Sequence, residues 1–293
     1  MSVVIRYYGL KMPTRIKTDT LLITDPNAYV DVVDAPDTIP ITIKLSFVNN
    51  EGRTLYIKVE LIDAPEEYSM DAVEVGSVGN GAKINFSATV NRTKPETTDF
   101  MELEESITLR VSAYTDSEYT ALYSYVDVPV TVYIINSAHP NWSVVKEYEF
   151  DDGSLSDLSH QTEVFGYEED CKTRLSVTSS TYVTPPYSCL IDYYMGRYCS
   201  RYAYAVFTVD LTSYSKAYLV AYVRKINDPS VELKVVAGDK VYYFTLPEAN
   251  VWYKIVIPLE TSEITVKIGV CILTYPGYTG GGIYVDSIKV LAV

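Results

Sequence analysis

The sequence predicts an all-β chain of two successive sandwiches, and three observations carry that expectation. Short runs that alternate apolar and polar residues recur along the whole chain, each bounded by Gly, Pro, Asn or Asp. No segment holds a helical period beyond about two turns. At 136–141 the pattern stops in the polar, Pro-containing stretch Asn-Ser-Ala-His-Pro-Asn and then restarts. A length of 293 residues is long for one sandwich and suits two domains. The expected division is a first domain over 1–137, a linker over 138–145 and a second domain over 146–293.

The first half opens with strand-like pieces at 3–8 and 20–24 around a bend at Pro13. Turn chemistry follows at Asp25-Pro26-Asn27 and Asp34-Ala35-Pro36-Asp37. Residues 39–48 alternate and break at Asn49-Asn50-Glu51-Gly52, a hairpin signal with 55–62 as its return strand. Further runs lie at 73–75, 83–90, 106–114 and 126–135. Gly76-Ser-Val-Gly79-Asn-Gly81 has the look of a nucleotide loop, but a strand follows it instead of a helix, so it reads as a turn. About seven short strands in roughly 110 residues describe an immunoglobulin-type sandwich. The run Ile41-Thr-Ile-Lys-Leu-Ser-Phe-Val-Asn-Asn-Glu-Gly52 resembles the opening hairpin of Ig-like repeats in secreted archaeal and bacterial proteins.

The second half restarts at Lys146-Glu-Tyr-Glu-Phe-Asp-Asp-Gly153, stays irregular to about 172, and continues with runs at 174–179 and 187–194. Runs at 203–210, 217–225, 231–237, 240–245, 251–258, 264–272 and 283–291 complete it. Three glycines at 280–282 lead into the last, where Ile283, Val285, Ile288 and Val290 alternate imperfectly and Asp286 interrupts the apolar face. Ten or so strands without a long helix close naturally as a jelly roll. Five segments appear here in order: 148–153, 186–192, 217–224, 251–257 and 282–290. Together they resemble the jelly-roll carbohydrate-binding-module (galactose-binding-like) superfamily across 146–293. That resemblance implies a structural Ca²⁺ held between Asp151 and Asp286, hard oxygen ligands from both ends of the domain.

Composition narrows the function. Net charge is −14, with 11 basic and 20 acidic residues up to 137 and 13 and 18 beyond, so neither half carries a basic footprint for nucleic acid or an anionic membrane. No apolar run approaches the roughly 18 residues of a membrane span. Gln occurs once, at Gln161, which points to a thermophilic source. The first residues lack a basic-then-apolar signal layout. The sequons at Asn85, Asn91 and Asn141 favour an exterior location, as a virion component or as a mature secreted chain.

Candidate sites gather in the second half. If 174–179 and 187–194 pair, Cys171 and Cys199 lie at one end within reach of a disulfide; Cys189 and Cys271 sit inside strands as buried thiols. Spacing excludes a zinc knuckle. Tyr193, Tyr194, Tyr198, Tyr202 and Tyr204, with Tyr275 and Tyr278 from the Gly-rich loop, could form a platform for sugar C–H faces, oriented by Arg197, Arg201 and Asp192. The alternative is cross-strand stabilisation and a protein interface. Trp252 is expected in the core. No differentially tuned carboxylate pair and no nucleophile elbow stand out, so no enzyme is expected. The leading expectation is a spike, turret or fibre component of a virus of a thermophilic archaeal host, partnering itself or other structural subunits or a cell-surface glycan. The second is a sugar-binding module of a secreted hydrolase or cell-surface protein.

Overall fold

The computed structural model describes residues 2–4, 21–22, 27–164, 172–195, 199–226, 232–246, 248–274 and 282–293. Every regular element among them is a strand, so no helix is long and apolar enough to cross a membrane. The chain divides into two compact units at Asn136/Ser137.

In the first unit the strands are β1 (Ser2–Val4), β2 (Leu21–Leu22), β3 (Asn27–Asp31), β4 (Thr38–Val48), β5 (Leu55–Asp63), β6 (Tyr68–Ser69), β7 (Val73–Val78), β8 (Lys83–Thr93), β9 (Glu102–Tyr114) and β10 (Leu122–Ile135). One sheet runs β1-β4-β8-β6 with β2 also on β4, the other β3-β10-β9-β5-β7. The first and last strands of the second sheet, β3 and β10, pair in parallel from Asn27↔Thr131 to Asp31↔Ile135. This is an Ig-like sandwich. Period-two alternation builds its core: Ile39, Ile41, Ile43, Leu45 and Phe47 of β4 are buried, as are Leu55, Ile57 and Val59 of β5 and Ile107, Leu109 and Val111 of β9.

The hairpin expected at 49–52 is a crossover instead. β4 pairs with β8 and β5 with β9, so the Asn49 turn carries the chain from one sheet to the other. Asn49 is fully buried; its Nδ2 donates to Arg53 O at 2.7 Å and Val78 O at 2.6 Å, and its Oδ1 accepts from Glu51 N. Residues that suit a tight turn therefore serve an arch between layers. A second bridge joins the sheets. Arg92 of β8, 3% exposed, reaches Glu105 of β9 through Nε at 3.0 Å and Nη2 at 2.7 Å, and Tyr68 O–H donates to the same carboxylate.

In the second unit the strands are β11 (Ser143–Tyr148), β12 (Ser159–Val164), β13 (Lys172–Thr178), β14 (Ser188–Met195), β15 (Cys199–Asp210), β16 (Ala217–Lys225), β17 (Glu232–Ala237), β18 (Lys240–Thr245), β19 (Tyr253–Leu259), β20 (Glu263–Thr274) and β21 (Ile283–Ala292). They form an antiparallel sheet β13-β14-β21-β16-β19, with β11 also on β21, and another β12-β15-β20-β17-β18. Between them lie Ala203, Ala205 and Phe207 of β15, Leu219, Ala221 and Val223 of β16, and Val266, Ile268 and Val270 of β20. Burying each large aliphatic contributes about 1.5–3 kcal/mol.

The imperfect alternation of β21 has a cause. Val220↔Lys289 and Tyr222↔Asp286 set two β21 residues, Ser287 and Ile288, opposite Ala221 alone, which is a bulge, and Ser287 adopts φ +46°. The extra residue resets the parity, so Ile283 and Val285 before it and Ile288, Val290 and Ala292 after it all reach the core. The expected linker over 138–145 is anchored by one buried side chain and runs into a strand. Trp142 is buried with its ring edge-on to Tyr218 at 5.8 Å, and β11 has already begun at Ser143. β12 falls where no strand was expected, because all six of its residues are exposed and no apolar period marks it.

The Arg92–Glu105 pair gives a test of the first sandwich. Removing one partner strands a buried charge. Glu105→Ala is expected to lower unfolding free energy by about 3–5 kcal/mol in urea denaturation, whereas Lys58→Ala, at the surface pair with Glu60, should leave the transition nearly unchanged.

Candidate functional site

Residues Ala203, Ala205 and Phe207 of β15 enter the core, so Tyr202, Tyr204 and Val206 face away from it. Register then fixes their neighbours. Tyr202 lies opposite Glu163 of β12 and Cys271 of β20; Tyr204 lies opposite Gln161 and Gly269. Gly269 in turn pairs with Lys234 of β17, and Lys234 with Tyr243 of β18. An aromatic and charged cluster thus spans the outer face of this sheet.

Gly269 makes the arrangement possible. A Cβ there would stand 2.2 Å from Tyr204 Cδ1 and 2.5 Å from Ala203 O, so only glycine lets the Tyr204 ring lie across β20. Tyr204 is 1% exposed and stacks beside Tyr202 with centroids 6.0 Å apart. Its O–H donates to Glu163 Oε2 at 2.7 Å, and Lys234 Nζ donates to the same oxygen at 3.0 Å. That ammonium also lies 4.3 Å from the Tyr202 ring centre, a cation–π contact. Tyr202 is half-buried, with its O–H 3.5 Å from Glu232 Oε2.

The electrostatics follow the contacts. Hydrogen bonds from Tyr204 and Lys234 hold Glu163 below its ordinary range, while burial, then Glu163, pushes the Tyr204 phenol up. Burial, then Glu232, raises the Cys271 thiol to about 11. The face presents phenols and a thiol around the Lys234–Glu163 pair, with Glu232 and Lys267 as further charges.

Asp286 has a different task from the one the sequence suggested. It is fully buried, and its Oδ2 accepts from Val183 N at 2.6 Å and Thr184 N at 3.0 Å, its Oδ1 from Thr184 Oγ1 at 3.1 Å and Ser287 N at 2.8 Å. Four donors fill a carboxylate's lone pairs. A Ca²⁺ would have to compete with three backbone N–H groups and a hydroxyl, and Asp151 is exposed on its turn. No group of three or more potential metal ligands occurs among the described residues. The pair Asp151 and Asp286 therefore does not fit the ion. The acid set against this strand is Glu149, which accepts from Ser287 Oγ at 3.0 Å and pairs with Lys289 at 2.9 Å.

Of the other expected residues, Arg197, Tyr275, Tyr278 and Cys171 lie outside the described residues; Tyr193, Tyr194 and Cys199 lie on β14 and β15 with side chains outside the description. Cys189 is a buried thiol and Cys271 a half-buried one. Asn85 and Asn141 are exposed and Asn91 half-buried. Trp252 is half-buried beside Tyr284 instead of in the core. Sequence reasoning missed Lys234, Glu163 and Gly269, whose signal is register across four strands and not any local motif.

No family model and no curated protein matches the chain. Its structural likenesses do. The solved structures it is similar to include carbohydrate-binding modules, and also a secreted serine protease of Vibrio cholerae at 13% identity and TM-score 0.26 over 88% of this chain and 49% of that one. One is a module of the β-sandwich superfamily described for promiscuous specificity, at 13% identity and TM-score 0.36 over 88% of this chain and 98% of that one. Another is a family 61 module in complex with β-1,4-galactotriose, at 14% and 0.35 over 50% and 94%. A third is the family 11 module of a cellulosomal cellulase of Clostridium thermocellum, at 13% and 0.34 over 52% and 97%.

Two outcomes test the cluster. Gly269→Ala should cost about 1–3 kcal/mol in thermal or urea unfolding, since a backbone oxygen and a ring must both move. Because folded Glu163 holds its proton more weakly than the unfolded chain, its contribution is complete above its ordinary value of 4.5 and is lost as pH falls through the folded value. The melting temperature should fall more steeply between about pH 5 and pH 3 in the native chain than in Glu163→Gln.

Proposed function

We propose that the second sandwich is a non-catalytic saccharide-binding module whose ligand lies across the outer face of β12-β15-β20-β17-β18. The observation that carries this is Tyr202: a half-buried ring fixed in mid-sheet by Tyr204, Lys234 and Glu163, all themselves hydrogen-bonded or ion-paired. A ring held in place before binding loses little freedom on contact, so stacking against a pyranose face is retained as affinity. Glu232 and Tyr243 lie beside it and Lys267 over the neighbouring Tyr204 ring, groups that exchange hydrogen bonds with hydroxyls. The carboxylate with a raised pKa, Asp286, is buried under four donors and is not presented as a general acid. An extracellular setting accords with the exposed sequon asparagines Asn85 and Asn141.

This geometry supports the sugar-binding reading ahead of the virion spike, turret or fibre role that led the sequence-based expectations. The buried centre of a permanent subunit interface is enriched in apolar area and depleted in charge, whereas this face is ion-paired and hydroxyl-rich.

Glycan-array screening of the full chain should give binding to one or more plant or microbial polysaccharide fragments. Calorimetry on the best fragment should show Tyr202→Ala weakening it at least about tenfold, a loss of about 1.4 kcal/mol or more. A blank array, or an unchanged Tyr202→Ala titration, would sink the proposal.

A further inference from the structure

The other sheet of the second sandwich carries its own row of outward side chains. Leu190 of β14 and Arg224 of β16 both pair with Tyr284 of β21. Ile283, Val285 and Val223 occupy the core, so Tyr284 and Arg224 point away from it. Tyr253 packs on the core, and Trp252 just before it turns outward to meet Tyr284. Both rings are half-buried, 6.4 Å apart and inclined at 52°, an open V and not a closed stack.

Polar groups are fixed around that V. The Arg224 guanidinium lies 5.8 Å from the Tyr284 ring centre, tethered through Nη1 to Thr181 Oγ1 and through Nη2 to Asn250 Oδ1 at 3.1 Å. Its Nε–H is buried and has no acceptor among the described residues. Ser180 Oγ donates to the Tyr284 hydroxyl oxygen at 3.3 Å. Asp192 of β14 is neutralised by two hydrogen bonds from Arg174 at 2.7 and 2.8 Å.

Two inclined rings, one tethered cation, and neutral hydroxyl and amide groups match a pyranose. Its C–H face rests on the rings and its hydroxyls exchange hydrogen bonds with Ser180, Asn250 and Arg224. An extended peptide would need an unpaired strand edge, which the middle of a sheet does not offer. A net charge of −14 opposes nucleic acid. We propose that Trp252, Tyr284 and Arg224 form a second saccharide-binding site, on the sheet opposite Tyr202. It rests on its own residues and does not require the Tyr202 site.

The chain has two tryptophans, so Trp142→Phe leaves Trp252 as the sole indole reporter. Full-length Trp142→Phe is titrated with gluco-, xylo- and galacto-oligosaccharides and its emission followed. A saturable change with at least one of them is expected. It should persist when Tyr202→Ala is added and weaken at least about tenfold when Tyr284→Ala is added. Tyr284→Phe keeps the ring and the fold and should stay within about threefold of the parent, which separates lost stacking from unfolding. A silent Trp252 alongside binding that Tyr202→Ala removes would overturn this site and leave the first intact. A change unaffected by Tyr284→Ala, or abolished by Tyr202→Ala, would also overturn it.

Discussion

The second sandwich hangs on one buried carboxylate. Asp286 sits in the central strand of its sheet, flanked by β14 and β16, and draws in the N–H groups of Val183 and Thr184 from the β13–β14 connection. Burial pushes its pKa up, and the donors from Thr184, Val183 and Ser287 pull it back, so the charge is tolerated because the loop comes to it. Losing one such acceptor leaves several buried donors unsatisfied, each costing about 1–3 kcal/mol. The bulge at Ser287 makes room for the arrangement. The loop that Asp286 pins also delivers Ser180 and Thr181 to Tyr284 and Arg224. Beneath it Cys189, fully buried, has its thiol pushed up by burial and then by Asp286, which keeps it inert.

The fold was largely legible because alternation reports which residues share a face. Ile39 to Phe47, Ile107 to Val111 and Leu219 to Val223 declare their strands without help. Alternation does not report what lies opposite. Asn49 and Gly52 satisfy hairpin chemistry, yet the chain crosses between sheets there, since hydrogen bonds from a buried Asn side chain to Arg53 and Val78 stabilise the arch. Trp142 looked like part of a linker because its partner, Tyr218, is distant in sequence. Trp252 looked like core because its neighbours Ile255 and Ile257 are core, but it precedes the strand and takes the other face.

Site residues were harder to read, for a related reason. Tyr202 was nominated by local tyrosine density, while its fixing partners Glu163 and Lys234 come from strands β12 and β17 on either side. Only the register of four strands places them together, and a glycine in β20 is the sole local sign that a ring must pass. Asp286 was singled out correctly as unusual and given the wrong companion, since a lone acid on an apolar strand signals burial without saying whether donors or a cation answer it. Tyrosine also serves the two units differently. In the first, Tyr68 locks an ion pair and Tyr114 and Tyr119 meet edge-on at 5.6 Å; in the second, Tyr202 and Tyr284 are half-buried on opposite sheets.

The parallel pairing of β3 with β10 has a mechanical side. A pull on the chain ahead of Asn27 and beyond Ile135 drives the two strands past one another along their length. All five register pairs, Asn27↔Thr131 to Asp31↔Ile135, are then loaded at once in shear instead of opening one by one. An antiparallel hairpin such as β9–β10, pulled from its open end, unzips stepwise. The first sandwich is thereby built to resist tension transmitted along the polypeptide through these two strands.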